Sequence, residues 1–204
     1  MKKKIVLCMM AFIGVLNSVS AQVALKSEGL AADHVNTIVN RSQKIVDKLN
    51  ISDTGKAEAV RNIIANRYFS VNKIHEDFKD NKDQLNAELY KHHFEMEFDL
   101  SCYLDAEGVE AVKNGMTFGV VNNTSRAYYD MIPTLKDSEK LRIRNWLKEA
   151  REFALDAPSS KEKHACFKKY KGRINNWLTT QGYDMKKERE AWMKRVEEAK
   201  KKKK

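Results

Sequence analysis

The chain has 204 residues and a formal charge of +10, but three of the excess lysines stand at positions 2–4 and five at 200–204, so the body between them carries only +2. The basic balance belongs to the ends, which removes the case for a specific nucleic-acid partner. Two prolines and eight glycines among abundant Ala, Glu, Lys, Leu and Arg favour helices throughout.

Lys2, Lys3 and Lys4 are followed by an apolar run over 5–16 and by the small residues Val19, Ser20 and Ala21 before Gln22. That order is the pattern of a secretory signal peptide over 1–21. The run is shorter than the ~20 residues needed to span a bilayer. No cysteine follows the expected cut, since Cys8 lies inside the apolar run. The expectation is an exported protein, in the periplasm or at the cell surface, with no membrane span after cleavage. Residues 22–199 would form a single helical domain, and 200–204 a basic tail.

Apolar residues at spacings of three and four predict the helices in turn. Val35, Ile38, Val39, Ile45, Val46 and Leu49 line a helix over 28–50. Ala57, Val60, Ile63, Ile64, Tyr68, Val71, His75 and Phe78 line a second. A third, more polar helix is expected over 83–103, with Leu85, Leu89, Met96, Leu100 and Tyr103 on one side. A short helix over 105–114 precedes a Gly-containing stretch near 115–121, expected to be irregular because glycine costs ~1 kcal/mol in a helix relative to alanine. A helix over 124–131 then stops before Pro133.

Asp137 is the expected N-cap of a helix reaching 156, with Ile143, Trp146, Leu147, Ala150, Phe153 and Ala154 inward. Ser159 and Glu162 have capping-box spacing for the next, whose apolar face is Phe167, Tyr170, Ile174, Trp177 and Leu178. Gly182 should stop it, Asp184 should cap a last helix, and Trp192 and Val196 should dock that helix. The fold class is all-α, a single-domain bundle of about six to seven helices.

Motifs of known chemistry are missing: no GxSxG, no GxGxxG, no P-loop, no HExxH and no CxxC occur. His92, His93, Glu95 and Glu97 form the densest group of titratable residues. Adjacent helical side chains diverge by about 100°, so the two histidines cannot share one ion and a surface cluster is expected. Cys102 and Cys166 suit a disulfide in an oxidising compartment or two small buried positions, the second being the expectation. No metal or cofactor site and no catalytic residues are expected.

The most informative stretch is 164–184, HACFKKYKGRINNWLTTQGYD. His164, Lys168, Lys171 and Asn175 share a helix face, flanked by Arg173 and Asn176. A polar strip beside aromatic rings suits carbohydrate, because rings cover apolar sugar faces while amides and cations address hydroxyls and carboxylates. Ordinary amphipathicity also accounts for it.

Four blocks, 115–120 (GMTFGV), 129–135 (YDMIPTL), 146–160 (WLKEAREFALDAPSS) and 163–184 (KHACFKKYKGRINNWLTTQGYD), resemble a family of secreted bacterial proteins, domain-of-unknown-function family 3826. The resemblance implies export and a connection with sugar binding and polysaccharide breakdown in the cell envelope. It carries no established catalytic residues to transfer. The expected function is an accessory protein that binds a polysaccharide or oligosaccharide, or works beside envelope glycan-processing proteins. The ligand residues would be Trp146, Arg151, Asp156, His164, Lys168, Lys171, Arg173, Asn175, Asn176, Trp177, Tyr183 and Asp184. An envelope chaperone and a glycan-active enzyme are the alternatives.

Overall fold

The computed structural model describes residues 23–201. The expected signal peptide and the last three lysines lie outside the described residues. Among those described, nine α-helices and no strands occur: α1 (Ala32–Val46), α2 (Thr54–Asp77), α3 (Lys82–Lys91), α4 (Glu95–Ser101), α5 (Ala106–Met116), α6 (Val120–Met131), α7 (Asp137–Leu155), α8 (Ser160–Thr180) and α9 (Met185–Lys201). The all-α expectation holds. The helix count exceeds the expected six to seven, and one of the additional helices arises because the expected third helix divides into α3 and α4.

That division has a tertiary cause. The buried Arg67 of α2 donates from Nη1 to the His92 carbonyl at 3.0 Å, and the His93 amide turns to the Tyr90 carbonyl at 3.2 Å. The His92 carbonyl is thereby drawn off the helical path between α3 and α4. Met96, Leu89 and Leu100 still face the core, as their spacing requires.

The apolar side chains gather in two clusters. The first joins α1, α2, α4 and α5 around Val60, Ile64, Leu100 and Val112. The second joins α6, α7 and α8 around Ile143, Leu147, Phe167, Ile174 and Leu178. Helix α7 links them, since its last residue, Leu155, belongs to the first cluster while its earlier apolar residues belong to the second. Helix α2 is buried on much of its circumference, and Asn62 and Arg67 go inside with the apolar stripe.

The connection near 115–121 is shorter than expected. Helix α5 continues through Gly115 to Met116, and α6 begins at Val120. Gly115 is needed for close approach rather than for a bend: a Cβ there would lie 2.8 Å from Ile45 Cγ2 of α1. The reversal is made by Phe118 and Gly119, both left-handed, with φ of 60° and 65°.

The caps follow the sequence with one exception. Ser159 Oγ accepts from the Glu162 amide at 3.2 Å and donates to the Glu162 carboxylate at 2.6 Å. Gly182 ends α8 at a φ of 93°, and Asp184 Oδ1 accepts from the amides of Lys186 and Lys187, each at 3.1 Å. At α7 the cap position is Lys136 rather than Asp137, and Glu139 reaches back to accept the Lys136 amide at 2.8 Å. Helix α9 runs into the basic end as far as Lys201 and buries no residue.

Candidate functional site

The twelve residues expected to contact a ligand do not converge on one place. Arg151 is 2 % exposed and faces α5. Its Nη2 and Nη1 donate to the two Glu110 oxygens at 2.6 and 3.1 Å, and further bonds reach Asn114 and Glu152. Its charge is consumed within the fold. Asp156, just past α7, pairs with Arg67 and with His93 Nδ1, the latter at 2.8 Å, while its carbonyl meets His75 Nε2 at 2.8 Å.

The Arg151 pair carries a pH signature. The hydrogen bond from Arg151, aided by Lys148, holds the Glu110 carboxyl down to about 2 from an ordinary 4.5, against the effect of burial. A depressed carboxylate stabilises the fold above its ordinary value and loses that contribution as pH falls towards the folded one. The urea midpoint should therefore decline between pH 4.5 and about 2, and Glu110→Gln should flatten that decline. An unchanged slope in the variant would assign the acid sensitivity elsewhere.

Trp146 and Trp177 are both half-buried and meet edge-on at 5.3 Å. The chain's own guanidinium groups lie over their rings: Arg173 is 4.4 Å from the Trp146 centroid, and Arg142 is 5.2 Å from that of Trp177. These contacts knit α7 to α8 through cation–π attraction. Tyr183 donates to Glu139 at 2.7 Å, so it too joins the scaffold, as Asp184 does by capping α9. His164 is exposed and stacks on the exposed Phe118 at 5.0 Å, and Asn176 is exposed.

The remaining three, Lys168, Lys171 and Asn175, do come together. They form one wall of an open groove of about 590 Å³ between α6, α8 and α9. Helix α6 supplies Asn123, Thr124 and Tyr128, and α9 supplies Arg189 and the half-buried Trp192. Among the described residues no carboxylate forms an ion pair with Lys168, Lys171 or Arg189. Tyr128 Oη donates to Asn175 Oδ1 at 2.6 Å, which orients that side chain and leaves its NH₂ as a donor. Burial pushes the Tyr128 hydroxyl up to about 12, so it remains a hydrogen-bond donor across neutral pH. Gly172 of α8 also lines the groove, and a Cβ there would meet nothing within 4 Å.

Sequence reasoning gave Trp192 only a docking role and passed over Arg189, Tyr128, Asn123 and Thr124. The usable signal was a tryptophan on a helix with so few other apolar residues. The histidine pair diverges as expected: His92 Nδ1 meets Glu95 at 2.7 Å while His93 turns inward to Asp156. His93 is therefore no surface residue, because the Arg67–Asp156 pair draws it in. Cys102 is exposed and Cys166 half-buried, both as free thiols, so the expected burial of Cys102 is corrected. Among the described residues no group of three His, Cys, Asp or Glu side chains is arranged to hold a metal, and no helix is long and apolar enough to cross a membrane.

These features define an all-helical protein with an open, cation-rich and aromatic groove on its C-terminal half. The chain belongs to the family described as "Protein of unknown function (DUF3826)", whose model matches residues 35–84 and 76–198. No curated protein matches it.

Proposed function

We propose that this is an exported accessory protein that binds a polysaccharide, or oligosaccharides released from one, in the groove between α6, α8 and α9. The supporting observation is the pairing of Trp192 with Lys168, Lys171, Arg189 and Asn175 around one groove. An indole ring covers the apolar face of a sugar, and unpaired cations and amide donors address its hydroxyls and carboxylates. The volume of about 590 Å³ falls within the ~300–1,000 Å³ typical of ligand sites. The leader-like start, Lys2 to Ala21, supports export. Among the described residues no Asp or Glu lines the groove, so the paired carboxylates of a glycoside hydrolase have no counterpart there.

Gly172→Leu is the informative variant. Its Cβ meets nothing within 4 Å, so the fold tolerates it while the side chain fills the groove. Calorimetric titration of the chain from Gln22 with neutral and acidic oligosaccharides should show selective binding at physiological salt, weakened about tenfold or more by Gly172→Leu. Equal affinity in the variant would place the sugar site outside this groove, and loss of all binding with salt or with removal of residues 200–204 would reduce the effect to charge attraction.

One observation favours the chaperone alternative: Tyr90 on α3, Phe94 just before α4 and Phe98 on α4 are 73 %, 59 % and 73 % exposed. That reading is supported instead if the protein suppresses aggregation of unfolded clients and shows no glycan preference.

A further inference from the structure

Lys163, in the first turn of α8, is only 5 % exposed, yet among the described residues its side-chain ammonium has no hydrogen-bond or ion-pair partner. Its Nζ lies 5.3 Å from the centroid of the Tyr68 ring, and the Arg41 guanidinium of α1 lies 5.6 Å from the same centroid. Arg67, next to Tyr68 on α2, is also 5 % exposed. Its two terminal nitrogens are engaged by His92 and Asp156, while its buried Nε has no partner. Asp156, the carboxylate that acts on Lys163, is already shared between Arg67 and His93.

Buried cations are ordinarily paired, because removing a charge from water without a partner is strongly unfavourable. Two cations over one ring, with the Arg67 charge also acting on Lys163, stand against one shared carboxylate and leave an excess of positive charge. Burial accordingly holds the Lys163 ammonium down to about 8, and repulsion from Arg67 and Arg41 adds to this, with Asp156 opposing. The missing component is negative. Arg41 is exposed, so the cluster is open to solvent on the α1 side, and the positive end of the α8 dipole lies close to Lys163.

We infer that Lys163 and Arg41, backed by Arg67, form a binding point for the oxyanion of a small ligand, a carboxylate, sulfate or phosphate group, at the junction of α1, α2 and α8. The anion bridges the Lys163 ammonium and the Arg41 guanidinium beside Tyr68 and supplies the counter-charge that Asp156 cannot. This point is separate from the groove and does not depend on glycan binding there.

The test titrates the full chain from Gln22 with sodium acetate, sulfate and phosphate against sodium chloride at matched ionic strength. It follows the side-chain NMR resonances of Lys163 and the thermal midpoint. A bound oxyanion should saturate, move the Lys163 titration from about 8 towards its ordinary 10.5 and raise Tm. The strongest of the three salts identifies the class of anion. Arg41→Gln should weaken the response about tenfold. Lys163→Met should abolish it while folding well, since an unbranched apolar chain replaces a largely buried side chain whose ammonium has no partner. The inference is overturned if no oxyanion moves Lys163 more than chloride does, or if Lys163→Met keeps the full rise in Tm.

Discussion

Asp156→Ala is expected to lower stability by about 3–5 kcal/mol, the range for removing one partner of a buried ion pair. Asp156 was selected from the sequence as a ligand residue, but its carboxylate joins Arg67 of α2 to His93 between α3 and α4, and its carbonyl meets His75. Taking the carboxylate away leaves the Arg67 side chain, 4 % exposed, without its counter-charge. It also removes the carboxylate that acts on Lys163, so repulsion within that cluster increases. Urea unfolding followed by circular dichroism measures the loss. Asp156→Asn keeps an acceptor without the charge and should fall between the two. A loss below about 1 kcal/mol, the level of an exposed pair, would mean that Arg67 finds water on relaxation. Oligosaccharide affinity of the folded variant should stay at the wild-type level, since Asp156 lies outside the groove lining.

Ending the chain after Asp184 is expected to weaken oligosaccharide binding by about a hundredfold or more, the effect of losing an interface's dominant aromatic and arginine contacts. The truncation removes Trp192 and Arg189, the α9 wall of the groove. It should leave the bundle folded. Helix α9 buries none of its residues and is attached by partly buried Trp192 and Met185 against the second cluster, and by Arg195 Nη2, which donates to the Asp130 and Met131 carbonyls at 2.9 and 3.0 Å. A loss of about 1 kcal/mol corresponds to a fall in Tm of about 2–4 °C for a chain of this size. Calorimetry and thermal melts of the shortened chain separate the two effects. Undiminished binding would place the sugar site elsewhere on the molecule.

Much of the fold was legible because it rests on short-range rules. The 3.6-residue period located Ile38, Ile45 and Val46 on the inner face of α1 and Ile143, Leu147 and Ala150 on that of α7. Ser159, Gly182, Asp184 and Pro133 marked helix ends through local backbone chemistry. The reading erred where a distant partner intervened. The break at His92 depends on Arg67, 25 residues earlier, and the place of Asp156 depends on the same arginine, 89 residues away.

The site was less legible for the same reason. Lys168, Lys171 and Asn175 were found because they share one helix face, which a local period reports. Arg151 looked equally available, but Glu110, 41 residues earlier, claims its guanidinium. The sequence by itself determined the helices, most of their ends and their apolar faces, since those depend on residues three or four apart. Which polar side chains were neutralised inside, which stayed unpaired beside Trp192, and that Lys163 was buried among like charges were decided only when packing brought distant helices together, because a charge's solvation and partners are properties of the assembled interior.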